Sequence, residues 1–165
     1  AADAAIGTPG AAYPLIERVV DTAIAALAAE AVGTMAKMYE LTVDYMKTRK
    51  QFGVTIGTFQ ALQHRGADMF VALEQARSMA MLATMMAAED GARERRQSIS
   101  AAKVQIGRSG RFVGQQAVQI HGGIGMTMEA SIGHYFKRIT ALDSMFGDAD
   151  YHLGLVAESG GLVAA

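Results

Sequence analysis

Proline is nearly absent from this 165-residue chain, and that feature most constrains how the chain folds. Its two prolines, Pro9 and Pro14, both lie near the start. Everything after them is free of the residue that breaks helices most strongly. Apolar residues make up 51% of the sequence, enough at this length for one domain with a core. The sequence therefore favours long helices around a single hydrophobic core.

Apolar residues recur at helical spacing along most of the chain. The pattern predicts an all-α fold, an up-and-down helical bundle without strand pairing. In the first helix, Ile16 and Val19 are expected on the buried stripe, and Gly33 is expected where a neighbouring helix packs closely. Four predicted helices, three long and one short, cover about 13–47, 59–88, 94–121 and 129–143, and a last segment covers about 149–157. A linker or frayed end is expected at 1–12 and a tail at 158–165.

Charge and cysteine content exclude several classes of function. The formal net charge of -1 gives no basic field for nucleic acid. There is no cysteine, which excludes disulfides and thiolate metal sites, and the four His form no ligand motif. Charged residues interrupt every apolar run, so no membrane span is expected, and no signal peptide is visible. We expect a cytoplasmic protein, and the start without Met predicts a processed or cut-out fragment.

The segment "TRKQFGVTIGTFQALQHR", residues 48–65, interrupts two helical stretches with cations, aromatics and amides. Arg49 and Phe52 are three residues apart, and Gln60 opens the next helix. A guanidinium suits phosphate, a Phe ring can cover a base, and a Gln amide can bind that base. These residues are a candidate nucleotide half-site. The alternative is a solvated helix end whose cations lie favourably against the helix dipole.

Two further segments carry candidate ligand or catalytic groups. In "QIHGGIGMTMEA", residues 119–130, the glycines would let the backbone approach a ligand, although a Gly-capped turn explains them equally. In "LDSMFGDADYHL", residues 142–153, Asp148 or Asp150 could act as a general base. The alternative for either carboxylate is a helix N-cap.

The segments "RKQFG" (49–53), "FQALQ" (59–63) and "AVQIHGGIGMT" (117–127), in this order and separation, resemble the C-terminal helical domain of the acyl-CoA dehydrogenase family. The similarity covers about residues 13–157. It implies a flavoprotein of fatty acid metabolism that oxidises acyl-CoA to trans-2-enoyl-CoA. In that reaction a carboxylate takes the α-proton, and the β-hydrogen leaves as hydride to FAD.

The resemblance also implies partners and site residues. It implies a dimer or tetramer in which this domain reaches a neighbour's FAD, with acyl-CoA as substrate and electron-transfer flavoprotein as the expected acceptor. Arg49 would contact the pyrophosphate, with Phe52 and Gln60 on the adenine side. The adenosine and diphosphate end would be held by Gln119, Gly122 and Gly123.

The chain departs from the family pattern at the catalytic base. Many members carry a Tyr-Glu-Gly-Thr motif whose Glu is the base, and aligning its Gly with Gly147 places Phe146 at the Glu position. Other members place the base on the first helix, near Ala23 here, and Glu30 lies about two turns further on. Asp148 or Asp150 could supply the carboxylate, or a companion chain could.

A third alternative is a non-catalytic structural subunit that dimerises and clamps a partner's FAD. "MFGDADYHL" resembles two-component acyl-CoA dehydrogenases that act on CoA esters of dicarboxylates or steroid side chains, which implies a hetero-oligomer. A related flavin monooxygenase or acyl-CoA oxidase is a weaker alternative. The family's N-terminal helical and middle β-domains are not in this sequence. We therefore expect these residues alone to be inactive and to bind FAD weakly.

Overall fold

The computed structural model describes residues 7–160, so parts of the predicted linker and tail lie outside the described residues. Five helices follow one another, with a short hairpin between the first two. A 3₁₀ turn at Ile56–Thr58 precedes the second helix, and another at Gly122–Met126 follows the third. The elements are α1 (Tyr13–Thr48), β1 (Lys50–Gln51), β2 (Val54–Thr55), α2 (Gln60–Ala87), α3 (Ala92–His121), α4 (Ser131–Ser144) and α5 (Ala149–Glu158).

The helices form the predicted all-α bundle, with two corrections. Four helices were predicted, whereas the last segment forms a fifth, α5. Helices α1, α2 and α3 pack against one another, while α4 and α5 pack mainly on α3. Short connections between consecutive helices give antiparallel neighbours. The expectation of no strand pairing was wrong, because Lys50 pairs with Thr55 and Gln51 with Val54. Two adjacent residues with positive φ, Phe52 and Gly53, make this tight reversal.

Helix α3 is the central element, and a row of glycines lets α4 approach it closely. A Cβ on Gly110 would lie 2.7 Å from Cγ1 of Ile139. A Cβ on Gly114 would lie 2.6 Å from the ring of Phe136. Both distances are shorter than carbon atoms tolerate, so a side chain at either glycine would push α4 away. The close packing of α4 on α3 therefore requires glycine, which has only a hydrogen atom as its side chain, at both positions.

Buried cations on α3 bind polar groups of the neighbouring elements. Arg95 is 4% exposed and donates through Nε to Oδ2 of Asp21 on α1 at 2.9 Å. Lys103 is also 4% exposed, and its Nζ donates to the carbonyls of Leu142 (3.0 Å) and Asp143 (2.6 Å). These two carbonyls lie in the last turn of α4, where helical partners run out. Lys103 thus caps α4 from inside the protein.

The expected burial of Ile16 and Val19 on α1 was wrong. Ile16 and Val19 are 55% and 61% exposed, and Ile16 lines a cavity of about 170 Å³ between α1, α3 and α5. Within residues 7–160, α1 is also long and apolar enough to cross a membrane by length and composition. In the fold it packs against α2, α3 and α4. The core helix of a bundle passes the same test, so the criterion does not place the chain in a membrane.

Two helical glycines allow a matched test of this packing. Gly33 is exposed, and a Cβ there would meet nothing within 4 Å, so the expected close contact with a neighbouring helix was wrong. Gly33→Ala should raise the free energy of unfolding by up to about 1 kcal/mol, because Ala favours helix. Gly110→Ala should lower it by about 1–3 kcal/mol through overpacking against Ile139. Urea unfolding of both variants measures the two changes, and equal effects would contradict the packing described.

Candidate functional site

The end of α1 and the hairpin after it present two side chains away from the bundle. Arg49 leaves the helix with extended φ and ψ angles, and its N–H donates to the Tyr45 carbonyl at 2.8 Å. Phe52 at the hairpin tip has φ of 54°, in the left-handed region that non-glycine residues rarely adopt. It is 92% exposed, and its ring and that of Phe59 form an edge-to-face pair with 6.2 Å between centroids. A strained, exposed aromatic of this kind is typical of a ligand contact.

A cleft of about 550 Å³ lies beside the hairpin, between the end of α1, the start of α2 and the end of α3. Its lining carries the guanidinium groups of Arg49 and Arg65 and no carboxylate. Arg65 is fixed by a hydrogen bond from Nη1 to Oε1 of Gln116 at 2.5 Å. No hydrogen bond or ion pair holds the Arg49 side chain within residues 7–160. The cleft therefore has positive charge available for an anion.

The end of α3 brings Gln119, Gly122 and Gly123 to the same cleft. Gln119 is exposed, and Gly122 ends the helix with φ of 63°. The Gly122 N–H is used in the helix cap, bonding to the carbonyls of Gln119 and Val118. A Cβ on either glycine would meet nothing within 4 Å, so the backbone faces open space. The Gly-capped turn is confirmed at Gly122, and the open space leaves a ligand contact by these glycines as a prediction.

Gln60 and Gln63, both near the start of α2, have different surroundings in the structure. Gln60 is the first residue of α2, is exposed, and is not part of the cleft lining. Gln63 donates through Nε2 to the Gly57 carbonyl at 2.8 Å and so fixes the connection before α2. Five of the six predicted cofactor residues therefore meet at one cleft. A cofactor contact by Gln60 stays a prediction.

Two residues that line the cleft, Tyr45 and His121, were not predicted from the sequence. The rings of Tyr45 and His121 stack with centroids 4.4 Å apart and planes 21° apart. Burial lowers the pKa of His121, partly offset by its hydrogen bond with the Ala117 carbonyl. The sequence did indicate their proximity to the site, because Tyr45 is one helical turn before Arg49 and His121 directly precedes Gly122. Neither residue type alone indicates a ligand site.

The loop before α5 holds its predicted catalytic residues in structural positions. Asp148 is the N-cap of α5, where Oδ1 accepts from the Tyr151 N–H at 2.8 Å. Asp150 is exposed in the first turn. Phe146 has φ of 57° and lines the cavity between α1, α3 and α5. Gly147 has φ of 95° and no room for a Cβ, which would strike the Tyr151 ring.

A buried histidine holds the backbone of this loop. His152 is 3% exposed, and its Nε2–H donates to the Phe146 carbonyl at 3.0 Å. Nδ1 then accepts from the Ser100 hydroxyl at 3.1 Å, because a neutral ring has one donor and one acceptor. Burial is the main cause of the lowered pKa of His152. The hydrogen bond to the Phe146 carbonyl opposes it, and the nearby Lys103 and Arg96 lower the pKa further. The neutral ring is therefore the form that the fold selects.

Glu30 is held by a cation and is not free to act as a base. Both of its carboxylate oxygens accept from Arg138, at 2.6 Å and 2.9 Å. The hydrogen bond from Arg138 lowers the pKa of Glu30. A general base needs a pKa near the working pH, so this pairing opposes that role. Position 23, the alternative base position on α1, is Ala in this chain.

Comparison with known proteins identifies the fold family. Residues 15–161 match the family model described as "Acyl-CoA dehydrogenase, C-terminal domain". This chain belongs to the acyl-CoA dehydrogenase family. Members are FAD-dependent oxidoreductases of acyl-CoA metabolism.

Several relatives are close enough to compare in detail. Acyl-CoA dehydrogenase IpdE2 of Mycolicibacterium smegmatis is 38% identical over 143 residues, which are 84% of this chain and 43% of that protein. A solved variant of the Tcur3481-Tcur3483 steroid ACAD matches with a TM-score of 0.82 at 30% identity, covering 91% of this chain and 40% of that one. PigA with FAD and proline matches with a TM-score of 0.75 at 29% identity, covering 88% and 37%. The chain spans less than half the length of each.

Replacing His152 should destabilise the loop and change the pH dependence of folding. His152→Gln should cost about 1–3 kcal/mol near pH 7.5, because the flexible amide does not bridge the Phe146 carbonyl and the Ser100 hydroxyl with the geometry of the ring. A histidine whose pKa is lowered by folding contributes stability that is lost as pH falls below the unfolded value of 6.5. Urea unfolding across that range should show a smaller loss for the variant than for the wild type.

The control for that experiment is His134→Gln on the exposed surface of α4. It should keep the wild-type loss of stability below pH 6.5. Part of the loss should also remain in His152→Gln, because His121 has a lowered pKa as well. Identical pH profiles for His152→Gln and the wild type would contradict the role assigned to the buried ring.

Proposed function

We propose that this chain is the C-terminal domain of an FAD-dependent dehydrogenase that oxidises acyl-CoA to trans-2-enoyl-CoA. In this proposal the domain clamps the adenosine diphosphate half of an FAD held mainly by a neighbouring subunit. The observation that carries the proposal is the cationic cleft, which combines Arg49 with Phe52, Gln119 and two unobstructed glycines. When bound, FAD would supply the hydride acceptor for the oxidation.

Each cleft residue suits one part of the nucleotide. The Arg49 guanidinium can donate two parallel hydrogen bonds to the diphosphate. The exposed Phe52 ring offers a face or edge to the adenine, and the Gln119 amide can donate to it or accept from it. Gly122 and Gly123 leave the backbone accessible to the phosphates. In this arrangement the negatively charged diphosphate would lie against the Arg49 guanidinium, and the adenine would lie against Phe52 and Gln119.

The outward position of the cleft supports a role across a subunit interface. Phe52 extends from the bundle with almost its whole side chain in solvent, although aromatic residues of this size are usually buried. A neighbouring chain that brings the flavin would cover it. The similarity to the paired Tcur3481-Tcur3483 steroid ACAD makes a hetero-oligomer the assembly we favour over a homodimer or homotetramer. Electron-transfer flavoprotein is the acceptor we propose.

A second candidate function is a non-catalytic subunit that clamps a partner's FAD. Three observations favour it over a chain with its own base. Phe146 occupies the position where the family Glu is expected, Asp148 is committed to capping α5, and Asp150 is exposed to water. Abstraction of the α-proton needs a carboxylate in a dry site within hydrogen-bond reach. On this reading a companion chain supplies that carboxylate.

Neutralising Arg49 should weaken flavin binding. Arg49→Gln removes a charged, bidentate contact to the diphosphate, so we expect the dissociation constant for FAD to rise by about 10- to 100-fold. Fluorescence titration of FAD into the flavin-free, full-length assembled protein measures the change. The control is Lys50→Gln, because Lys50 is the adjacent cation but does not line the cleft. Equal weakening by the two variants would contradict a specific role for Arg49.

Removing the loop carboxylates separates the two candidate functions. Asn also caps helices, so Asp148→Asn should preserve α5, and Asp150→Asn changes only an exposed charge. We expect both variants to keep turnover within about twofold, whereas loss of a general base costs about 10²- to 10⁴-fold. Anaerobic bleaching of the flavin absorbance by acyl-CoA esters is the measurement. A large loss in either variant would identify that Asp as the base and exclude the non-catalytic role.

The full-length chain should also be tested alone and with its companion. Flavin that is retained and bleached by the chain alone would show that it carries its own FAD and its own base. We expect bleaching to require the second chain. The isolated 165-residue segment should neither turn over substrate nor hold stoichiometric FAD.

A further inference from the structure

His121 lies at the boundary between two clefts of opposite charge. On one side is the cationic cleft with Arg49 and Arg65. On the other side a second cleft, of about 380 Å³, is lined by Asp44 and Glu129. The stacked rings of Tyr45 and His121 line both clefts. An ionisable ring at this boundary is therefore accessible to a ligand in either cleft.

The hydrogen bonds of His121 leave one ring nitrogen available. Nδ1 lies 2.8 Å from the Ala117 carbonyl, and only a protonated Nδ1 can donate to that oxygen. In the neutral ring Nε2 is therefore a lone-pair acceptor, and it makes no hydrogen bond to residues 7–160. The Tyr45 hydroxyl donates a hydrogen bond to the His121 carbonyl at 3.4 Å, which links α1 to the end of α3. The His121 ring is therefore held in place, and its Nε2 atom is the one that can take up a proton.

The charges around His121 come from every element packed against it. Helix α1 contributes Asp44 and Arg49 beside the Tyr45 ring, and α2 contributes Arg65. The segment before α4 contributes Glu129. None of them forms an ion pair with His121, and burial keeps its pKa below the ordinary value. At neutral pH the ring is therefore uncharged until a ligand changes its surroundings.

We propose that Nε2 of His121 takes up a proton from solvent when an adenosine diphosphate group enters the cationic cleft, and then donates a hydrogen bond to the diphosphate. This deepens the proposed FAD clamp and rests on it. An anion close to a histidine raises its pKa by about one to three units, which is enough to reverse the effect of burial. Nucleotide binding and protonation of His121 are then coupled, so each strengthens the other.

The coupling predicts a pH dependence of affinity with a definite sign. The bound state holds one proton more than the free state at pH values between the free and bound pKa of His121. Affinity should therefore rise as pH falls through that window. We expect the dissociation constant for FAD to be about tenfold lower at about pH 5.5 than at about pH 8.

Isothermal titration calorimetry tests the proposal on the full-length, flavin-free assembled protein. FAD is titrated near pH 6.5 in two buffers of different ionisation enthalpy, and the difference in binding heat gives the number of protons taken up. The wild type should take up a fraction of one proton. His121→Gln should take up none and should bind with little pH dependence. The matched control, His64→Gln on exposed α2, should behave as the wild type.

A nuclear magnetic resonance titration of the His121 ring, with and without FAD, tests the same proton uptake on the wild-type protein. FAD should move its midpoint to higher pH. FAD binding with no proton uptake and an unchanged midpoint would overturn this proposal and leave the FAD clamp standing. No FAD binding at any pH would overturn both. Coenzyme A also carries adenosine diphosphate, and proton-linked binding of it but not of FAD would support the role of His121 and overturn the FAD assignment.

Discussion

The enclosure of α3 by the other four helices is the constraint on which the rest of the structure depends. A buried donor or acceptor left without a partner costs about 1–3 kcal/mol, so the polar side chains of such a helix must pair with its neighbours. Arg95 binds α1, and Lys103 caps α4. Ser100 fixes His152 on α5. The same helix then ends at the cleft, so its packing positions the candidate ligand residues as well.

Much of the fold could be predicted from the sequence because its information is local. Helical spacing and the lack of proline act within a few residues, and they predicted four helices to within a few residues of their observed ends. The last segment, which was not predicted as a helix, forms α5. The hairpin at 50–55 was missed because its strands are two residues long, too short for any alternation to appear. Burial was less predictable, since Ile16 and Gly33 have core-like patterns but no neighbour that covers them.

The residues of the candidate site also differ in how far the sequence could predict them. Arg49 and Phe52 could be predicted because a contiguous motif carries them. Tyr45, Arg65 and His121 reach the cleft from three separate helices, and only the packing of those helices brings the residues together. The alternatives for Asp148 also needed the structure, because a capping carboxylate and a catalytic one have the same sequence signature. The hydrogen bond to the Tyr151 N–H shows that Asp148 caps α5.

The loop before α5 is held by contacts that do not use the side chain of Phe146. His152 binds the Phe146 carbonyl and Asp148 binds the Tyr151 N–H, while the side chain of Phe146 is 46% exposed. The main demand that folding places on position 146 is its left-handed φ of 57°. A single codon change there could add or remove a carboxylate without rebuilding the scaffold. Position 146 can therefore change in charge while the contacts that hold the loop stay the same.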